Sequence, residues 1–151
     1  MSMNKEDVLQ HLPQQPPFRF LDAILELDDN HIVGAYTFKH DEYFYAGHFP
    51  GDPVTPGVIL IEAMAQTGVV ALGLYLTSLS VPEEELSIWT TFFTECQMEF
   101  YLPVLPGETV TIRGEKVFFR RMKLKSKVGL YLENGDLAAE GSVAGVGVKR
   151  G

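Results

Sequence analysis

One cysteine, one tryptophan and only 12 basic residues against 20 acidic ones deny this 151-residue chain the material for several classes of protein. Cys96 alone forms no internal disulfide. With neither a second cysteine nor a closely spaced histidine pair, there is no zinc-ligand spacing either. Reducing cytoplasm is the expected compartment. The first residues, Met-Ser-Met-Asn-Lys-Glu-Asp, lack the basic stretch and apolar run of an export signal. A net charge of −8 argues against a broad basic face for nucleic acid and against a polybasic hold on anionic lipid. Repeats, low-complexity tracts and linkers are missing too. A single domain over residues 1–151 is expected, and 46% hydrophobic residues suffice for its core.

The residues that are present divide into one long apolar segment and several alternating ones. Asn4 to His11 predicts a short helix with Val8 and Leu9 as its apolar contacts, stopped by Pro13, Pro16 and Pro17. Ala23 to Asp28 and Ile32 to Lys39 predict two strands joined at Asp29-Asn30, residues that tolerate the left-handed backbone of a tight hairpin. Val58 to Leu76 is apolar on nearly every face, as a helix in a protein interior or a membrane would be. Glu62, Gly68 and Gly73 weigh against a membrane span, and the strands that follow can wrap a buried helix. Those strands run from about Ile88 to Tyr101, Thr109 to Arg120, Met122 to Glu133 and Asp136 to Val148, the last two joined at Asn134-Gly135. The pattern is α+β: one long central helix wrapped by a curved antiparallel sheet. Phe92, Phe93, Phe100 and Tyr101 are expected in the core, with the lining of a ligand tunnel as their other role.

Three features bear on chemistry. Thr55 can cap the long helix, Pro56 suits its first position, and Gly57 follows with no side chain to block a ligand. A free Gly57 N–H at the positive end of the helix dipole can hold a carbonyl oxygen as it gains charge, although a plain capped helix would look the same. Glu62 sits within an apolar helix where desolvation raises a carboxyl pKa, and Gln66 lies one turn on, able to orient it. A polar pair satisfied at a subunit contact is the competing reading. His48 stands on a tight turn, Gly47-His48-Phe49-Pro50-Gly51, displayed as general bases often are, whereas His11, His31 and His40 read as ordinary surface or turn residues. Together these parts suit removal of a proton beside a carbonyl with loss of a group at the next carbon: His48 as base, Gly57 N–H at the oxygen, Glu62 as acid, with no metal and no cofactor. Phe49 and Val58, next to these groups, are candidate substrate contacts. Lys116, Arg120, Arg121, Lys123, Lys125 and Lys127 hold half of the basic residues and form either a docking patch or a solvated strand face.

The run Gly47-His48-Phe49-Pro50-Gly51-Asp52-Pro53-Val54-Thr55-Pro56-Gly57-Val58, followed by Ile61-Glu62-Ala63-Met64-Ala65-Gln66, resembles the hotdog-fold 3-hydroxyacyl-[acyl-carrier-protein] dehydratases of the FabZ type. The similarity continues through Phe18 to Asp22 and Glu99 to Glu108. It implies that His48 and Glu62 form a catalytic pair contributed by opposite subunits of a homodimer, the minimal active unit, which the family commonly builds into a trimer of dimers. It also implies an acyl tunnel beside the central helix and an acidic acyl carrier protein docked at Arg120, Arg121 and Lys123. FabA-type enzymes, which also isomerise, have Asp where this chain has Glu62, so a dehydratase without isomerase activity is implied. Where the family has Leu-Pro-His-Arg, this chain has Leu12-Pro13-Gln14-Gln15, a departure that points toward a specialised lipid pathway, polyene synthesis among them. A hotdog acyl thioesterase and a non-catalytic acyl-binding partner subunit are the alternatives.

Overall fold

A computed structural model describes residues 3–150. The first helix, α1, spans Lys5–Gln10. Asn4 caps it reciprocally: its side-chain oxygen accepts the Asp7 amide at 2.8 Å, and the Asp7 carboxylate accepts the Asn4 amide at 3.1 Å. Val8 is its buried contact and Leu9 is partly covered.

Six strands follow the alternating segments: β1 Ala23–Leu27, β2 His31–Thr37, β3 Trp89–Phe100, β4 Thr109–Arg120, β5 Lys123–Tyr131 and β6 Leu137–Lys149. They form one antiparallel sheet in the order β1-β2-β4-β5-β6-β3, with bulges in β1, β3, β4 and β6. The long apolar segment is continuous from Gly57 to Ser78, in three parts: α2 Gly57–Ala65, a π-helical stretch Gln66–Ala71, and α3 Leu72–Ser78. This helix has the length and hydropathy to cross a membrane, yet 67% of its most apolar window is buried inside the protein. Its residues join both core clusters: Ile59, Leu60, Ala63 and Met64 with Phe20, Val110 and Leu130, and Leu72 and Leu76 with Ile32, Leu86 and Leu124. The expected α+β layout, a helix wrapped by a curved antiparallel sheet, is present.

The helix approaches the sheet at its π-helical stretch, where glycines permit contact. A Cβ on Gly114 would lie 3.0 Å from Gly68 Cα, and one on Gly68 would lie 2.6 Å from Val128 Cγ1. The buried Ser126 hydroxyl donates to Gly68 O at 2.7 Å, supplying a partner to a carbonyl at the point where the helix departs from α geometry.

Several turns differ from expectation. Asp28, Asp29 and Asn30 do not use left-handed backbone; the Asp28 side chain accepts the Asn30 and His31 amides instead, an Asx-type turn. Left-handed backbone occurs at the β4–β5 hairpin, where Arg121 (φ 51°) and Met122 (φ 62°) form a two-residue loop without Gly or Asn. At Asn134-Gly135 only Gly135 is left-handed, and the loop closes through Gly135 N–H to Leu132 O, one residue longer than the two-residue hairpin expected. Phe92, Phe93, Phe100 and Tyr101 are not in the core: each is 46–59% exposed. They belong to or directly follow β3, which lies at the edge of the sheet and pairs only with β6.

Candidate active site

The long helix starts one residue later than its capping residues suggest. Pro56 is the N-cap and Gly57 the first helical residue, while the Thr55 hydroxyl makes no cap and shares a 2.6 Å hydrogen bond with the buried Tyr45 hydroxyl. The first intrahelical donors, the Ile59 and Leu60 amides, both reach Pro56 O. The Gly57 and Val58 amides have no partner among the described residues, as the first turn of any helix requires. Beside Gly57 lies an open hollow of about 380 Å³ walled by Thr55, Leu60, Phe100, Tyr101 and Val104. Phe100 sits so near that a Cβ on Gly57 would be 3.3 Å from its ring, which is a reason for glycine here. Val58 is 72% exposed.

Glu62 lies one and a half turns into the helix. Its partner is Gln66, whose side-chain N–H donates to Glu62 Oε2 at 2.9 Å. Gln66 is fully buried and joins the helix to the segment before β1: its oxygen accepts the Phe20 amide at 2.7 Å, and its nitrogen also donates to Phe18 O at 2.9 Å. These two backbone bonds fix which end of the amide faces the carboxyl, because a flipped amide would set N–H against N–H at Phe20. Burial pushes the Glu62 pKa above its ordinary 4.5, and the Gln66 hydrogen bond offsets part of the rise. A carboxyl so held retains a proton to a higher pH than a solvated one.

His48 is held from the other side. Its Nδ1 lies 2.9 Å from Val54 O, and Val54 N–H donates back to His48 O at 2.9 Å. Since a carbonyl only accepts, Nδ1 carries a hydrogen, and in the neutral ring this tautomer leaves the lone pair of a base on Nε2. The Phe49 ring stacks on the imidazole at 4.3 Å between centroids and is itself 55% exposed. The Tyr45–Thr55 bond, together with Thr55 N–H to Val104 O, ties the loop carrying His48 to the helix start. Sequence reasoning had no signal for Tyr45, since a tyrosine reads as core until its hydroxyl partner is known.

The sequence candidates thus form two groups within the chain, Gly57-Glu62-Gln66 on the helix and His48-Phe49 on its loop. No hydrogen bond joins His48 to Glu62 among the described residues. Arg120, Arg121 and Lys123 cluster at the β4–β5 hairpin, with Arg120 4.6 Å over the Phe118 ring and Lys123 bonded to Glu95 at 3.2 Å. That hairpin packs beside α3, where Phe119, Met122 and Leu124 meet Gly73 and Leu74 around one cavity. It therefore stands at the opposite end of the helix from Gly57 of the same chain. No cluster of three potential metal ligands occurs among the described residues.

The chain is similar to known proteins in sequence and in fold. The model of the FabA-like domain matches residues 12–145. The 3-hydroxyacyl-[acyl-carrier-protein] dehydratase FabZ of Caldicellulosiruptor saccharolyticus is 35% identical over 138 residues, covering 90% of this chain and 92% of its own length. FabZ of Thermus thermophilus is 34% identical, covering 91% and 92%. Among solved structures, the dehydratase heterocomplex ApeI:P of Xenorhabdus doucetiae has a TM-score of 0.74 at 16% identity, over 94% of this chain and 91% of its own. The thioesterase HI1161 of Haemophilus influenzae has a TM-score of 0.69 at 14% identity, over 99% and 93%. These two structural likenesses carry the fold alone. With the family match over residues 12–145 and FabZ relatives aligned along nearly their full length, the chain belongs to the FabA-like family.

Proposed function

We propose that the protein dehydrates 3-hydroxyacyl groups on acyl carrier protein to trans-2-enoyl groups, in fatty-acid or related lipid synthesis. The observation that carries this reading is the desolvated Glu62, oriented by a Gln66 whose amide cannot turn, on the same helix as an unpartnered Gly57 N–H. The thioester carbonyl oxygen meets the Gly57 N–H, and the positive end of the helix steadies the charge it gains. His48 Nε2 takes the α-proton, and protonated Glu62 gives its proton to the β-hydroxyl as the C–O bond breaks. Water leaves, a double bond forms between the α and β carbons, and exchange with solvent moves the proton gained by His48 away and restores that of Glu62. Phe49 and Val58 are contacts for the thioester region. The chemistry uses the chain's own groups as acid, base and hydrogen-bond donor.

A homodimer is the minimal active unit in this reading, with assembly into a trimer of dimers as the family's further step. Two observations support it: His48 and Glu62 are not bonded to each other within the chain, and β3 leaves a long edge with exposed aromatic residues. Arg120, Arg121 and Lys123 receive the acidic carrier protein. Cytoplasm remains the compartment of this reading, consistent with a single free Cys96.

The test is subunit mixing. His48→Ala and Glu62→Gln are each expected to lose dehydration of 3-hydroxyacyl carrier protein, read by enoyl absorbance and mass. Refolding the two inactive variants together should restore about a quarter of the wild-type sites, because half the dimers are mixed and each then holds one intact pair. Turnover by His48→Ala alone overturns the mechanism, and no recovery on mixing overturns the shared site. Free acid as the wild-type product would replace the reading with thioester hydrolysis, and no product with any carrier-bound chain would favour a silent acyl-binding subunit.

A further inference from the structure

His48 stands in the irregular segment between β2 and the long helix, residues 38–56, where neither a helix nor a strand fixes its place. A catalytic base displaced by about 1 Å can lose roughly a hundredfold in rate, so this loop needs an anchor on a rigid element. Three successive turns lead from the end of β2 to the histidine. Glu42 N–H donates to Lys39 O at 3.2 Å, Tyr45 N–H to Glu42 O at 3.1 Å, and His48 N–H to Tyr45 O at 3.3 Å. Each of these four residues is also held by its side chain. The His48 ring bonds Val54 O and the Tyr45 hydroxyl bonds Thr55, while Lys39 Nζ lies 4.4 Å over the Tyr36 ring.

Glu42 makes the link to the sheet. Its Oε2 accepts the Tyr36 hydroxyl and also the Lys39 amide, the latter at 3.2 Å. Tyr36 is 3% exposed and belongs to β2, an interior strand flanked by β1 and β4, where it stands opposite Val110. Lys39 Nζ donates to the Tyr36 oxygen at 3.3 Å, which leaves the phenol hydrogen for Glu42. Burial, with the Glu42 carboxylate beside it, pushes the Tyr36 pKa above its ordinary 10, so the hydroxyl stays a donor across the neutral range. The Tyr36 ring meets Phe20 edge-on at 5.6 Å between centroids, and the Phe20 amide is bonded to Gln66. The loop of the base and the partner of Glu62 are thus braced on the same aromatic ring.

We propose that Glu42 is a positioning residue for His48: bonded to Tyr36, it pins the turns that carry the base to the interior of the sheet. The inference rests on the part that the proposed function gives to His48. The experiment measures steady-state dehydration of 3-hydroxybutyryl carrier protein by the intact protein and its variants, with urea unfolding to establish that each variant is folded. Tyr36→Phe removes one hydroxyl and leaves the ring in the core. Glu42→Ala removes the acceptor, and Glu42→Gln keeps an oxygen for the same two donors. Tyr36→Phe and Glu42→Ala are each expected to lower kcat by about tenfold or more, with KM within about twofold of wild type. The double variant should be no slower than the slower single one, because both changes break one link. Glu42→Gln should recover most of the loss. Since Tyr36→Phe spares the packing, it decides the matter even if Glu42→Ala fails to fold. Wild-type kcat in the folded variants, with only a lower urea midpoint, would make the link purely structural and overturn the inference. A loss confined to KM would place Glu42 at the substrate and overturn it too, and Glu42→Gln as slow as Glu42→Ala would overturn the hydrogen-bond account. Failure of wild type to dehydrate the chain strikes the dehydratase reading and this inference with it, whereas the other failures strike this inference alone.

Discussion

Glu62 occupies a place where ionisation is disfavoured, and this couples its proposed role as an acid to stability. Its folded pKa is raised above the ordinary 4.5 by burial. The associated stability is fully present below that ordinary value and is lost as pH rises from there through the raised folded value, because the unfolded chain then ionises more readily. Glu62→Gln keeps the shape and removes the charge, so it should unfold at higher urea than wild type near pH 8 and at similar urea near pH 4, while losing dehydration. A difference independent of pH would show that the carboxyl is not the source. Gln66 carries a different load. Gln66→Leu strands the buried Phe20 amide, worth about 1–3 kcal/mol when unpaired, and removes a donor from the part-buried Phe18 carbonyl, and should lower stability and activity together in a denaturation and turnover comparison. The Glu62–Gln66 pairing was legible in the sequence because two polar residues four apart stand out in an apolar helix. The bonds from Gln66 to Phe18 and Phe20 were not, since they join positions 46 and 48 residues apart.

Among the elements, β4 begins and ends at the residues its alternation predicts, Thr109 and Arg120, and the other strands agree within a few residues. The loops fared less well, because a short polar turn admits several backbone solutions. Asp28 closed its own turn with its side chain, and the left-handed pair fell at Arg121-Met122, where no Gly or Asn marks it. A side chain at positive φ costs about 1–2 kcal/mol, and asparagine tolerates it better. Arg121→Asn should therefore raise stability by about 0.5–1 kcal/mol, or about 1–4 °C in Tm, and a lower Tm would show that the arginine makes up the difference elsewhere. The π-helical stretch was invisible in a helix apolar on every side, where no polar face marks a change of pitch. Its contact with the sheet leaves no space at Gly68, so Gly68→Ala should destabilise by about 1–3 kcal/mol in the same assay.

For the whole molecule, the sequence carried the α+β layout but not which strand would lie at the edge, because strand order depends on pairings that no local pattern encodes. The aromatic residues expected in the core stand exposed along β3. If that edge is the seam of the proposed dimer, Phe93→Lys should yield a folded monomer by sedimentation that has lost dehydration. A dimer with full activity would place the seam elsewhere. The same strand has a further consequence, one of timing. β3 pairs only with β6, and β6 begins 37 residues after β3 ends, at Leu137 against Phe100. At about 5–20 residues per second on the ribosome, Phe100 waits about 2–8 seconds for its partner Ala139, and Phe92, paired with Val146, about 3–11 seconds. The nascent chain is therefore most open to misassociation just before β6 appears, and premature termination near the start of β6 would release a sheet that lacks the strand β3 needs.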